Sequence, residues 1–307
     1  MAFNIEFRPT SFEDFIGNVS VVESLKTLLQ QKDRPHCYLL YGKTGCGKTT
    51  LARMIANSIG CSGYDMIEIN SSNNRGIDTA RDIISQMQYK PLAGEVKVYI
   101  LDEVHQATKD FQNGILKALE DAPGHVYFIL CTTEPEKLLP TIRNRCVQFQ
   151  LTILNSKQLR RLLLNVCKKV GKQVDEAIIQ AIIENCEGVP RQALLMLQQV
   201  IDIQDIDIAI QSINLVKENE KQIIDLCKAL VNGARWSEIA GILKGLKEEP
   251  ETIRRAVLAY LSSVACNFSN QKSIVRIGML IENFSGNYYD SGRAGLVLSC
   301  IRSIFIE

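Results

Sequence analysis

Short apolar runs alternate with helical patterns through the first half of the chain. Strands that are apolar on both faces are typical of a parallel sheet covered by helices on both sides. A fifth run alternates apolar and polar residues and closes this part of the chain. The five runs are residues 37–41 (CYLLY), 66–69 (MIEI), 96–101 (VKVYIL), 126–131 (VYFILC) and 147–151 (VQFQL). This pattern predicts a doubly wound α/β domain with a parallel sheet.

The helices between these strands carry start and stop signals. Ser20 and Glu23 have the spacing of a capping box ahead of an apolar helical face. Residues 49–59 carry apolar side chains at helical spacing and are followed by Gly60, which suits the left-handed conformation at a helix C-terminus. The sequence therefore predicts a helix directly after the first strand.

After residue 151 the strand pattern ends and only helical periodicity continues. We predict three domains, the α/β domain at residues 1–151, a helical domain at 152–216 and a second helical domain at 217–307. The predicted helices span residues 155–170, 175–187, 190–201, 222–231, 236–246, 252–266, 274–283 and 294–306.

Composition places the chain among ordinary soluble proteins. Apolar residues make up 46% and charged residues 22% of the 307 positions, and 35 basic residues nearly balance 34 acidic ones. A nucleic-acid surface would therefore require a local basic patch. None of the ten cysteines forms a Cys-x-x-Cys pair, which predicts no zinc site. Most of them lie inside apolar runs, which predicts buried free thiols and hence a reducing, cytoplasmic compartment. No run is long enough to cross a membrane, so we expect no membrane partner.

The residues after the first strand form a phosphate-loop motif. Residues 42–49 read GKTGCGKT, which matches G-x-x-x-x-G-K-[ST] between a strand and a helix, as the motif requires. Backbone amides of such a loop surround nucleotide phosphates, the lysine reaches the outer phosphates and the threonine hydroxyl joins the magnesium shell. We expect ATP and Mg²⁺ here, with nucleotide contacts from Gly42, Thr44, Gly45, Cys46, Gly47, Lys48, Thr49 and Thr50.

Two carboxylates follow the third strand. Asp102 is placed to hold magnesium through water together with Thr49, and Glu103 to polarise the attacking water. Thr132 and Thr133 follow the next strand and would lie at the same edge of a parallel sheet. A hydroxyl there can sense the γ-phosphate, although Thr-Thr is equally consistent with an ordinary turn. The sequence thus predicts an ATP hydrolase.

The order of these motifs resembles that of AAA+ clamp-loader ATPases. The chain is similar to replication factor C small subunits and to the bacterial tau/gamma subunit through roughly its first 200 residues. The four-cysteine zinc insert of the bacterial subunits is absent, since Cys61 stands alone, and the Ser-Arg-Cys signature reads Asn144-Arg145-Cys146. The segments that carry the resemblance are 6–9 (EFRP), 12–17 (FEDFIG), 42–49, 101–104 (LDEV), 131–133 (CTT), 144–146 and 188–191 (GVPR).

The resemblance implies further roles at the nucleotide. Arg145 would be an arginine finger acting in trans, and Arg191 a sensor that closes a helical lid formed by residues 152–216. Asn70 would restrain Glu103 until DNA binds. Arg8, Pro9, Phe15 and Ile16 would border the adenine.

The resemblance also implies a DNA face and a clamp face. The start of the helix after the second strand would follow the DNA backbone, although a solvated helix start is an equally good interpretation. The same helix would dock on the sliding clamp, against the alternative that its apolar stripe is core. The DNA candidates are Arg75, Gly76, Ile77, Thr79, Arg81 and Lys109, and the clamp candidates are Ile84, Met87 and Tyr89.

Together these features predict an ATPase subunit of a clamp loader, in a bacterial cell or a phage-infected host. It would join other subunits, in a pentamer, through a C-terminal collar with Trp236 as a packing anchor, and place the sliding clamp on primer–template DNA. One alternative is another AAA+ motor such as a branch-migration helicase, which should carry an additional DNA-binding domain. Others are a loader subunit that binds ATP only structurally and a stand-alone phosphate-loop kinase.

Overall fold

The computed structural model describes residues 2–72, 76–246, 248–267 and 271–305, with side chains except at 215–221, 266–267 and 271–273. The chain divides into two compact units, Met1–Ile206 and Asp207–Glu307. The division into three domains remains a prediction. Among the described residues, no helix has both the length and the apolar character needed to cross a membrane.

The first unit is built on a five-stranded sheet in the order β2-β3-β4-β1-β5, with every neighbouring pair parallel. The predicted α/β fold is therefore confirmed. β2 starts earlier than its apolar run indicated, because a register shift between Cys61 and Met66 accommodates four mostly polar residues. The strands are β1 (Cys37–Tyr41), β2 (Cys61–Asn70), β3 (Val96–Asp102), β4 (Val126–Thr132) and β5 (Val147–Gln150).

Alternate side chains of β1 to β4 enter two separate cores. Tyr38 and Leu40 of β1 pack on one face of the sheet, and Cys37 and Leu39 on the other. α2 (Val19–Leu29) and α3 (Lys48–Ser58) cover the first face. α4 (Ile77–Gln86), α5 (Lys109–Glu120) and α6 (Pro140–Arg143) cover the second, and α1 (Phe3–Glu6) precedes them all in the chain. Both faces are thus buried, as the apolar strands require.

The predicted capping box at Ser20 is wrong. α2 begins at Val19, and its N-cap Asn18 adopts the left-handed conformation at φ 49° without a side-chain cap bond. The Asn18 side chain instead pairs with Thr152, accepting from its backbone N–H at 2.8 Å and donating to its carbonyl oxygen at 3.2 Å. A tertiary contact with the segment after β5 therefore takes the place of the local cap.

Three helices follow the sheet within the first unit: α7 (Ser156–Val170), α8 (Glu176–Asn185) and α9 (Pro190–Val200). α7 ends at Gly171 as predicted, with φ 74°. The Leu154 N–H donates to the Gly188 carbonyl at 2.8 Å, which holds the turn before α9 against the end of the sheet domain.

The second unit is helical throughout its described residues. Its first helix, α10 (Ile206–Asn232), is continuous. The polar residues 217–221 interrupt the apolar periodicity, so the sequence predicted a helix only from residue 222. Its core is built around Phe284, which is fully buried, whereas Trp236 is 38% exposed. The remaining helices are α11 (Trp236–Gly245), α12 (Pro250–Asn267), α13 (Gln271–Asn283) and α14 (Gly292–Ile304).

Candidate functional site

A cavity of about 670 Å³ lies in the first unit, where the phosphate loop meets the N-terminal segment and the helices that follow the sheet. Ligands bind outside the carboxyl ends of the strands in open α/β sheets. Every nucleotide candidate except Gly42 lines this cavity. The predicted residues in its lining are Arg8, Pro9, Phe15, Ile16, Thr44, Gly45, Cys46, Gly47, Lys48, Thr49, Thr50, Asp102, Glu103 and Arg191.

The phosphate loop holds its lysine within the loop. Lys48 is 5% exposed, and its Nζ donates to the carbonyl oxygens of Gly42 at 2.9 Å and Lys43 at 3.2 Å. Gly42 has φ +153°, and a Cβ there would lie 2.3 Å from the Leu151 carbonyl oxygen. Only glycine fits this close approach of two backbone segments. The loop thus presents a buried cation that is already positioned for a phosphate.

The carboxylate of Asp102, the last residue of β3, is bonded to the loop threonine. Thr49 Oγ1 donates to Asp102 Oδ2 at 2.8 Å, and the Glu103 N–H donates to Asp102 Oδ1 at 3.0 Å. Glu103 adopts the left-handed conformation at φ 50°, which turns the chain sharply after the strand. A hydroxyl and a carboxylate at this distance are oxygen ligands of the kind that Mg²⁺ prefers. These residues therefore fit a magnesium ion.

The segment before α9 lies directly over the phosphate loop. A Cβ on Gly45 would be 2.7 Å from Val189 Cγ1 and 3.3 Å from Arg191 Cβ. On the other side, a Cβ on Gly47 would be 3.1 Å from the Phe15 ring. The loop is therefore enclosed between an aromatic side chain and an arginine from distant parts of the sequence.

Several charged residues of the cavity were not identified from the sequence. Arg53 pairs with Glu68, with its Nη2 donating to Oε2 at 2.7 Å, and both line the cavity. Arg161 and Lys169 of α7 line it as well. These two residues are eight apart and hence lie on one helical face, a signal that could have identified them had α7 been known to face the cavity.

Burial affects the titration of two groups here. It lowers the pKa of Arg8, and the nearby guanidinium groups of Arg53 and Arg191 lower it further. Burial raises the pKa of the Cys46 thiol, which keeps this side chain neutral at the loop. The basic groups of the cavity can bind a polyanionic ligand, and five carboxylates line the cavity beside them, those of Glu13, Asp14, Glu68, Asp102 and Glu103.

The end of β4 carries the threonine pair. Thr132 is fully buried, and its hydroxyl accepts from the Glu134 N–H at 3.0 Å. Thr133 is half-buried and is not among the described residues that line the cavity. Asn70 does line it, and its side-chain oxygen accepts from the Ser72 N–H at 2.9 Å.

Arg145 lies away from the cavity of its own chain, on the segment between α6 and β5. Its guanidinium forms an ion pair with Glu120 at the end of α5 and donates to the Thr141 carbonyl oxygen at 2.8 Å. The side chain is 31% exposed. The ion pair with Glu120 therefore competes with any contact that the Arg145 guanidinium makes to a neighbouring molecule.

The DNA candidates lie at the starts of two helices that follow neighbouring strands. Arg75 lies outside the described residues, and Gly76 is the N-cap of α4. A Cβ on Gly114 of α5 would be 2.8 Å from the Ile77 side chain, so the two helices pack closely at this glycine. Thr79 is half-buried, whereas Arg81 and Lys109 are exposed, and Arg81 pairs with Asp78 at 3.0 Å.

The clamp candidates separate into buried and exposed residues. Met87 is buried in the core beneath α4, and Ile84 is partly buried against the same core. Tyr89 is exposed, as are Leu92 and Tyr64. The apolar stripe of α4 is therefore mainly core, and the exposed apolar groups lie on the following loop and on β2.

The amino-acid sequence of this chain is similar to those of known proteins. The model for the family described as DNA polymerase III, delta subunit, matches residues 62–155. The DNA polymerase III subunit gamma/tau of Mycobacterium tuberculosis H37Rv is 33% identical over 224 residues, which cover 66% of this chain and 39% of that protein. The subunit tau of Escherichia coli K12 is 32% identical over 255 residues, covering 75% and 40%. That of Bacillus subtilis 168 is 35% identical over 216 residues, covering 64% and 38%.

The chain is a gamma/tau-like AAA+ chain. It spans about two fifths of the length of these relatives. Among solved structures, the Thermotoga maritima RuvB Holliday junction branch migration motor is similar with a TM-score of 0.62 and 20% identity, covering 73% of this chain and 79% of that one. At this level of identity the likeness shows the AAA+ fold alone.

Proposed function

We propose that this gamma/tau-like chain is an ATP-hydrolysing motor subunit of a DNA sliding-clamp loader. The observation that carries the proposal is the bond between Thr49 and Asp102 inside an arginine-lined cavity, in a chain similar to gamma/tau subunits. ATP binding would favour the state that holds the clamp open on primer–template DNA, and hydrolysis would release both. The energy available is the difference in ATP affinity between these two states.

The cavity supplies charge for a triphosphate. Lys48 would meet the outer phosphates, and Arg8, Arg53 and Arg191 would add positive charge around them. Pro9, Phe15 and Ile16 would border the base. Arg191, positioned beside Gly45, would report nucleotide occupancy to the lid helices.

Thr49 and Asp102 would hold Mg²⁺, Asp102 through water, and the ion would neutralise charge on the phosphates. Glu103 would orient the attacking water and draw its proton as the oxygen bonds to the γ-phosphorus and the bond to the ADP oxygen breaks. Thr133 would sense the γ-phosphate. Arg145 of a neighbouring subunit would stabilise the charge of the transition state, a contribution worth about a thousandfold or more in rate.

The starts of α4 and α5 would contact DNA phosphates. Arg75, Gly76, Ile77, Thr79, Arg81 and Lys109 would supply backbone amides and basic groups, which bind phosphates without sequence preference. Tyr89, with Ile84 and the adjacent loop, would face the clamp, whereas the buried Met87 would support that surface from below. The second unit would join the chain to other loader subunits in a pentameric assembly in the cytoplasm.

A branch-migration motor is the second candidate function, since a solved structure of such a motor shares the AAA+ fold. The curated relatives favour the clamp loader. A loader subunit that binds ATP only structurally would not require Glu103 and Arg145 together, so we favour the hydrolysing subunit.

The test is steady-state ATP hydrolysis by the purified chain, alone, with blunt duplex DNA and with primer–template DNA, and then with companion subunits and clamp. We expect stimulation by primed DNA and further stimulation by clamp. Arg145→Ala should abolish stimulated turnover and leave ATP affinity within about twofold. Arg160→Ala is the matched control, because Arg160 is also a surface arginine paired with a glutamate.

If DNA does not change the rate of ATP hydrolysis even with every partner present, the loader function is refuted. A loss of ATP affinity in Arg145→Ala would refute the role of Arg145 in trans. Stimulation by four-way junctions rather than by primed ends would support the branch-migration motor.

A further inference from the structure

A buried histidine lies between the ends of β3 and β4. His105 is in the short 3₁₀ turn Val104–Gln106, two residues beyond Glu103, and its side chain is 5% exposed. The roles assigned above to the end of β3 do not include this residue. A buried imidazole requires hydrogen-bond partners, so its contacts indicate what it holds in place.

Both ring nitrogens of His105 face functional segments. Nδ1 lies 3.1 Å from Thr132 Oγ1 and 3.4 Å from Glu103 Oε2. Nε2 lies 3.3 Å from Glu134 Oε1 and 3.0 Å from the side-chain nitrogen of Gln106. The ring therefore connects the carboxylate that follows β3 with the segment that follows β4.

The two ring nitrogens have different neighbours. Nε2 faces the Glu134 carboxylate and the Gln106 side chain, whereas Nδ1 faces the Glu103 carboxylate and the Thr132 hydroxyl. The Thr132 hydroxyl also accepts from the Glu134 N–H at 3.0 Å, so a chain of hydrogen-bond contacts links the ring to the loop that contains Thr133.

We propose that His105 is a positioning residue that holds the Glu103 carboxylate and couples it to the loop after β4. This inference rests on the proposed role of Glu103 as the group that orients the attacking water. Movement of the Thr133 loop on contact with a γ-phosphate would be transmitted through the ring to Glu103. The orientation of the glutamate would thus depend on the nucleotide state.

The test uses the full chain with its companion subunits, primed DNA and clamp. His105→Ala should lower kcat by about tenfold to a hundredfold, as is typical of residues that orient a functional group, while the affinity for ATP stays within about twofold. His105→Asn should restore most of the rate, because its amide can donate from the position of Nδ1. His105→Gln, whose amide lies nearer the position of Nε2, should restore less.

His36→Ala is the matched control, since His36 lies before the amino end of β1 and contacts the Val126 carbonyl oxygen. It should leave kcat unchanged. In a Glu103→Gln background, His105→Ala should add little to the defect, because residues that act as one unit are not additive.

Three results would overturn the inference: an unchanged kcat in His105→Ala, equal rates for the Asn and Gln variants, or a full additional loss in the Glu103→Gln background. If Glu103→Gln lowers turnover while His105→Ala does not, the inference fails and the proposed function stands. If the unaltered chain and its complex do not hydrolyse ATP, the proposed function fails, and the inference fails with it.

Discussion

Asp65 fastens the loop between α4 and β3, and its replacement should release that loop. The residue is buried, and its carboxylate accepts from the N–H groups of Leu92 at 2.6 Å, Ala93 at 3.0 Å and Gly94 at 2.7 Å. Ser62 Oγ donates to it at 2.6 Å. Burial opposes ionisation, but these four bonds outweigh it and hold the pKa of Asp65 well below its usual range.

The cost of Asp65→Asn follows from the number of acceptors lost. Oδ1 of Asp65 accepts a hydrogen bond only from the Leu92 N–H. In Asp65→Asn the side-chain NH₂ group can take the position of Oδ1, which leaves the Leu92 N–H without an acceptor. An unsatisfied buried donor costs about 1–3 kcal/mol, which gives about 2 kcal/mol for this variant. Asp65→Ala removes the acceptor of all three backbone N–H groups, and we expect a loss of about 4 kcal/mol in stability. This is less than the sum of three separate losses, because water can reach the N–H groups of the opened loop.

Amide hydrogen exchange measures this effect where it occurs. A loss of 2 kcal/mol should reduce protection at Leu92, Ala93 and Gly94 by roughly thirtyfold. Protection at Leu40, in β1 on the far side of β4 from β2 and β3, should not change. Asp82→Asn, at an exposed position of α4, is the control for loss of a carboxylate.

If the protection factors of Leu92, Ala93 and Gly94 in Asp65→Asn stay within about twofold of those in the unaltered protein, this reasoning is refuted. A uniform loss that includes Leu40 would show instead that Asp65 supports the whole sheet. On the proposed clamp face, Tyr89 lies on the segment that Asp65 holds, so Asp65→Ala should also weaken clamp binding and leave ATP affinity unchanged.

Three further predictions concern other contacts. Glu120→Gln should release Arg145 from its ion pair and raise stimulated turnover. The increase should be at most about fivefold, because a surface ion pair contributes about 1 kcal/mol or less. A fall in kcat would contradict this prediction. Gly42→Ala should weaken ATP binding by more than about tenfold in a fluorescence titration, because its Cβ would overlap a backbone carbonyl. A side-chain bond from Arg254 lowers the pKa of Glu251 to about 2, so the second unit should lose thermal stability as pH falls from about 4.5 toward 2.

Each of these predictions has a control in the same chain. Asp121→Asn removes an exposed carboxylate next to Glu120 and should not change turnover. Gly63→Ala places its Cβ in open space and should leave ATP binding intact. Glu251→Gln should reduce the dependence of stability on acid pH, whereas Glu282→Gln, at an exposed position, should not.

The sequence by itself determined the fold class and the nucleotide chemistry. The five strands, the phosphate loop and the carboxylates at Asp102 and Glu103 are all contiguous patterns, because hydrophobic period and turn chemistry act over a few residues. The same local reasoning was wrong at Ser20, where Asn18 bonds to a residue 134 positions away. It also left open whether Met87 belongs to the core or to a surface.

Only the tertiary structure decided which separate segments meet. Arg191 lies over Gly45, His105 joins Glu103 to Thr132, and Asp65 accepts from a loop about 27 residues later. No local periodicity encodes these contacts, because they depend on the strand order and on how the start of α9 packs against the phosphate loop. The physical reason is that a polar group buried by folding takes whichever partner the packed chain brings within bonding distance, however far away it lies in the sequence.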